Sequence, residues 1–209
     1  MKEVPPRVVE KVWGKMEKMS RSASAKMMEQ MGKEQPMLLG YLGSVDEESL
    51  NEGERGILVY LGLFIWQAMK QVGGYLPRVS EDAMIRAEVA TVTQFKNLAT
   101  QEETGSGGVD AILQACGQSE LMDFALAALM EAAGYDEENE AAEGEASADA
   151  AKGEECDRCD ECDECDECPE RDECPECEDY EEDEDALVRA ENVPLLMMNL
   201  KTVVDVLNV

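Results

Sequence analysis

The chain has 209 residues, of which 44% are hydrophobic, and a formal net charge of −30 from 48 Asp and Glu against 18 Lys and Arg. That length suits one domain with a large appendage or two small domains, and the hydrophobic share is enough for a core. A polyanion repels nucleic-acid phosphates and anionic lipid headgroups, which argues against direct binding to either. The absence of His removes the commonest general base and the Ser–His and Cys–His pairs, so a non-catalytic protein is expected.

The location of the charge matters more than its size. Residues 136–185 hold 27 acidic and 3 basic side chains, so that segment carries −24 and the remainder −6. The first 33 residues reverse the sign, with 8 Lys or Arg against 4 Glu. The chain begins without the apolar central region of a secretory signal, and a cytosolic, thiol-reducing location is expected.

Pro5 and Pro6 suit the first turn of a helix, where a missing N–H costs nothing. Val9, Trp13, Met16, Ser20, Ala23, Met27 and Met31 then recur at spacings of three and four. They predict one continuous amphipathic helix with Lys11, Lys15, Lys18 and Lys26 off its apolar stripe. Pro36 and Gly40 break the pattern, leaving Pro36–Leu42 as a short apolar segment. The stretch SVDE, Ser44–Glu47, has the form of a capping box. A central helix is predicted from about Asn51 to Val72, stopped by Gly73 and Gly74. Its apolar run, Gly56–Met69, is 14 residues long, short of the roughly 20 that cross a bilayer, and predicts a buried helix.

Ser80 is a candidate N-cap for a helix over about Glu81–Leu98, with Ile85, Val89, Val92 and Phe95 on one apolar face. After a GSGG loop, Gly105–Gly108, a fifth helix is predicted from about Val109 to Ala133, with Gly117 bending or interrupting it and Gly134 as its C-cap. Cys116 on that helix reads as a small buried hydrophobe. The Ala- and Glu-rich stretch Glu137–Ala151 cannot form a core. A final apolar helix is predicted over Ala186–Val209, with Asp185 as a cap and Pro194 near its first turn. Left free it would aggregate, so it is expected to pack on the preceding helices or on a partner.

Between these helices, seven of the eight cysteines fall within 22 residues. Cys156, Cys159, Cys162, Cys165 and Cys168 repeat every third residue, and Cys174 and Cys177 add a further C-x-x-C. Nearly every intervening residue is Asp or Glu. Thiolates at this density, with almost no apolar residues among them, bind metal or change oxidation state. Zinc is the first candidate: C-x-x-C turns offer sulfurs in pairs, four to an ion. Cys165, Cys168, Cys174 and Cys177 supply one such set, in which CPEC has the form seen in zinc knuckles. Cys156, Cys159 and Cys162 remain for a second site completed by a carboxylate or a shared thiolate. The five-residue gap before Cys174 leaves no room for the hairpin of a zinc ribbon, so any fold there would form around the metal.

An iron–sulfur cluster is the second candidate. Cys159, Cys162, Cys165 and Cys168 followed by Pro169 resemble the bacterial ferredoxin run, one residue short in the last interval. The flanking carboxylates disfavour an already anionic cluster. They also raise thiol pKa values, which disfavours redox catalysis, whereas a bound cation reverses the local field.

The expectation is therefore an all-α bundle of about five to six helices: a helical domain over 1–133, an acidic Cys-rich loop over 134–185, and a C-terminal helix over 186–209 packed on the first. Its function would be metal binding, as an adaptor, carrier or sensor. The alternatives are an acidic module for a protein partner with a basic surface, its cysteines incidental, and an iron–sulfur redox protein. Homo-oligomerisation stays open.

Overall fold

Pro6 opens α1, Pro6–Glu17, behind an extended Pro5, and Val9, Val12 and Met16 are its buried face. The computed structural model describes residues 2–45, 49–102 (side chains as far as 97), 117–135 and 187–208, and every regular element among them is helical. The one stripe predicted from Val9 to Met31 is two helices. Ser20 takes an extended backbone (φ −70°, ψ 156°), and its Oγ accepts the Ala23 N–H at 3.3 Å. There α2, Arg21–Glu34, begins. The hydroxyl satisfies an N–H that a through-running helix would satisfy itself, so a residue on the apolar spacing acts as a cap instead.

Pro36 does break the pattern, but by starting a new helix, α3, Pro36–Ser44, which buries Leu38 and Leu42 and passes through Gly40. Ser44 closes α3, donating to the Tyr41 carbonyl at 3.3 Å, and so is not the predicted cap; residues 46–48 lie outside the described part. The capping box sits further on. The Asn51 Oδ1 accepts from the Glu54 N–H and the Glu54 carboxylate from the Asn51 N–H, both at 2.8 Å. It starts α4, Glu52–Gly73, which ends at Gly74 in the left-handed region (φ 71°). From Leu61 to Trp66 every residue of α4 is buried, so this helix is apolar all round because it lies inside the bundle.

Ser80 Oγ accepts the Ala83 N–H at 3.3 Å at the start of α5, Glu81–Glu102. The predicted apolar face of α5 is turned outward in its first half: Ile85 is 50% and Val89 60% exposed, Val92 and Phe95 are half-buried, Met84 and Thr91 are buried and Ala87 packs on the core. Thr91 Oγ1 donates to Asp205 Oδ2 of the last helix at 3.5 Å, so the side of α5 that carries Thr91 is the side that packs. Gly117 takes φ 64° and Gln118 a non-helical backbone (φ −143°, ψ 50°), so α6 begins only at Ser119 and runs to Ala132. The predicted start at Val109, with Cys116, lies outside the described residues. Gly134 (φ 81°) donates to the Glu131 carbonyl at 3.0 Å and closes α6.

The last helix, α7, Val193–Leu207, starts later than the predicted Ala186, after a single 3₁₀ turn over Ala190–Asn192, with Pro194 in its first turn. It packs against α4, α5 and α6 and is buried on nearly every side, including Leu196, Leu200, Val203 and Val204. Trp13 of α1 makes edge contacts with Tyr60 and Phe64 of α4 and Phe124 of α6, at centroid distances of 5.6, 5.5 and 5.0 Å.

Two buried glutamines fasten the irregular ends. Gln118 accepts from the Val4 N–H at 2.8 Å and donates to Asn208 at 3.2 Å, and Gln35 accepts from the Val79 N–H and donates to the Pro77 carbonyl, both at 2.8 Å. Met1–Gly134 and Leu187–Val209 belong to one compact unit. Among the described residues no helix is long and apolar enough to cross a membrane.

Candidate functional site

Cys156, Cys159, Cys162, Cys165, Cys168, Cys174 and Cys177 all lie outside the described residues. What the structure does place is the ground from which the Cys-rich segment departs and to which it returns. The departure is the left-handed Gly134 at the end of α6. The return is Val188, fully buried, whose N–H donates to the Ala132 carbonyl at 3.1 Å. The chain thus comes back to within one hydrogen bond of the point it left.

The next residue fixes that return. Arg189 places its guanidinium on Glu54 of α4, with Nη2 2.7 Å from Oε2 and Nε 3.0 Å from Oε1, while its backbone N–H donates to Oε1 at 3.0 Å. A second bond from Nη2 reaches the Ser49 carbonyl at 2.6 Å. Asn192 Nδ2 donates to Glu54 Oε1 at 2.9 Å. With the Asn51 N–H, the Glu54 carboxylate accepts five hydrogen bonds while fully buried. Burial by itself would raise its pKa, but the bonds from Arg189, Asn192 and Asn51 prevail and hold it at about 2.

Such a carboxylate stays ionised and is a poor proton acceptor near neutral pH, so its chemistry here is anchorage. The fork-shaped guanidinium suits this, because it binds both oxygens in a fixed plane. Gly53 makes the room: a Cβ there would stand 3.0 Å from the Leu187 carbonyl oxygen and 2.9 Å from Leu187 Cδ1.

None of these anchor residues was singled out from sequence. Asn51-x-x-Glu54 ahead of an apolar run carries a capping-box signature that could have been found. Arg189 is the sole cation between Asp172 and Leu200, immediately after the acidic run, but nothing local says which carboxylate it meets. Among the described residues no group of three or more Cys, Asp or Glu stands close enough to hold a metal ion. Neither family models, nor curated proteins, nor solved structures give a match to the chain.

Proposed function

We propose that this is a non-catalytic helical protein whose segment from Cys156 to Cys177 binds metal, with zinc the first candidate, and that it works as a metal-dependent adaptor, carrier or sensor. The spacing and density of the thiols carry the reading. One observation of the fold supports it: the residues that flank the segment are fixed within the body, Ala132 before it bonding to Val188 after it, and Arg189 pairing with Glu54. A chain held at both ends has fewer conformations to lose when metal gathers its ligands. Carboxylates between the thiols attract the cation, and the ion's charge removes the penalty they place on thiolates.

The test is the metal content of protein purified without chelator, together with thiol titration before and after chelation. One to two zinc ions per chain, at roughly four ligands each, are expected, with thiols that react fully only once chelator is added. Seven freely reactive thiols in a metal-free protein that takes up no added zinc would overturn the reading. A brown protein containing iron and acid-labile sulfide would replace zinc by a cluster.

A further inference from the structure

Four methionines meet where α1 turns into α2. Met16, Met19, Met27 and Met28, with Arg21 and with Tyr60 of α4, line an open groove of about 430 Å³. Met16 and Met27 are buried, whereas Met28 is 39% exposed. The volume lies within the range that holds a small ligand or a few large side chains. Unbranched thioether side chains suit a surface that adapts to an apolar guest, because they repack at little cost.

Arg21 is the charged residue of the lining, and the charges along α1 and α2, the helices that supply most of the lining, are unequally occupied. Glu17 accepts from Trp13 Nε1 at 2.8 Å, Glu29 pairs with Lys33 at 2.6 Å, and Glu34 pairs with Lys70 at 2.6 Å. Lys15, Lys18, Arg21 and Lys26 are exposed and have no ion pair or hydrogen-bond partner for their side chains among the described residues. Glu17 is the only acid in that twelve-residue stretch, in a chain of net charge −30.

We propose that this groove docks an amphipathic helix of a partner protein, one with large apolar side chains on one face and carboxylates beside them. The methionines receive the apolar side chains, presented at helical spacings of three and four, and the unpaired cations receive the carboxylates. The chain's own acidic segment supplies only half of that chemistry. From Asp136 to Asp185 it contains no Leu, Ile, Val, Met, Phe or Trp. A second copy could offer Ile85 and Val89 of α5, which are exposed near Glu81, Asp82 and Glu88, but the exposed Arg86 stands beside them and would meet like charge at Arg21. This site is separate from the metal-binding proposal and does not depend on it.

The test uses the full-length protein and a fluorescent synthetic helix of roughly four turns, with Leu at positions i, i+3, i+4 and i+7 and Glu elsewhere. Two control peptides replace Leu by Ala or Glu by Lys. The Leu/Glu peptide is expected to bind at least about tenfold more tightly than either control, and to weaken as salt rises. Met28→Glu and the pair Lys18→Glu with Arg21→Glu are each expected to lower its affinity by about tenfold, with unchanged helix content and melting temperature. Arg78→Glu, on another exposed stretch, is expected to leave binding unchanged.

Equal binding of the Ala control would show general ionic attraction and overturn the proposal, as would no binding at concentrations of about 100 μM. Loss of binding in Arg78→Glu as large as in the groove variants would also overturn it. Concentration-dependent self-association abolished by Met28→Glu would assign the groove to a second copy and overturn the partner helix.

Discussion

Glu54 is a buried carboxylate that stays charged because it accepts five N–H bonds, three of them from Arg189. Its pKa of about 2 against an ordinary 4.5 fixes the sign of its pH dependence. The folded value is depressed, so its stabilisation is fully present above about pH 4.5 and is lost as pH falls toward 2. The shift corresponds to roughly 3 kcal/mol. Glu54→Gln is therefore expected to lower unfolding free energy by about 3 kcal/mol near pH 7, through loss of the charge facing Arg189. Urea titrations of both proteins at a series of pH values test this. The gap between them should be constant above about pH 5 and should narrow below 4.5, whereas a gap independent of pH would mean that packing, not charge, is lost.

Close helix approach is the matter at the scale of elements. A Cβ on Gly62 of α4 would stand only 2.4 Å from Leu42 Cδ1 of α3, and Leu42 is fully buried and has nowhere to go. Gly62→Ala is expected to cost about 1–3 kcal/mol through overpacking. Leu42→Ala alone should cost about 2–5 kcal/mol by leaving a cavity. The double variant should be more stable than the sum of the two predicts, because the added methyl occupies space the truncation opens. Additive losses in denaturant melts would rule this contact out as the cause.

The same scale separates the legible from the illegible. Ser80, Gly74 and Gly134 punctuate the helices where the sequence reading puts them, since each acts through its own backbone or the next turn. Ser20 sits on an apolar spacing, and the choice between stripe and cap depends on whether the chain turns there. The outer face of α5 carries Ile85 and Val89 because its inner face follows the surface it packs on.

For the whole molecule, the joined points at Ala132–Val188 and Glu54–Arg189 predict that the helical body does not need the acidic segment. Replacing residues 136–186 by a short Gly/Ser linker should leave one cooperative thermal transition. Its unfolding free energy should stay within about 2 kcal/mol of the full chain, since each halving of loop length changes the closure cost by only about 0.6 kcal/mol. The replacement also removes −24 of the net charge of −30, so salt should affect the shortened protein less. Loss of cooperative melting would show that the body depends on the segment.

Composition and spacing alone determine that the chain is helical, that its charge is concentrated in one segment, and that seven thiols share that segment with carboxylates. These properties are local: helix periodicity, caps and ligand spacing act within a few residues. The tertiary structure decides that α7 belongs among α4, α5 and α6, that Arg189 meets Glu54 across 135 positions of sequence, and that Arg21 lines a groove with four methionines. Such pairings depend on which surfaces lie together when the core closes, because burial is not directional and leaves no partner's address in the sequence.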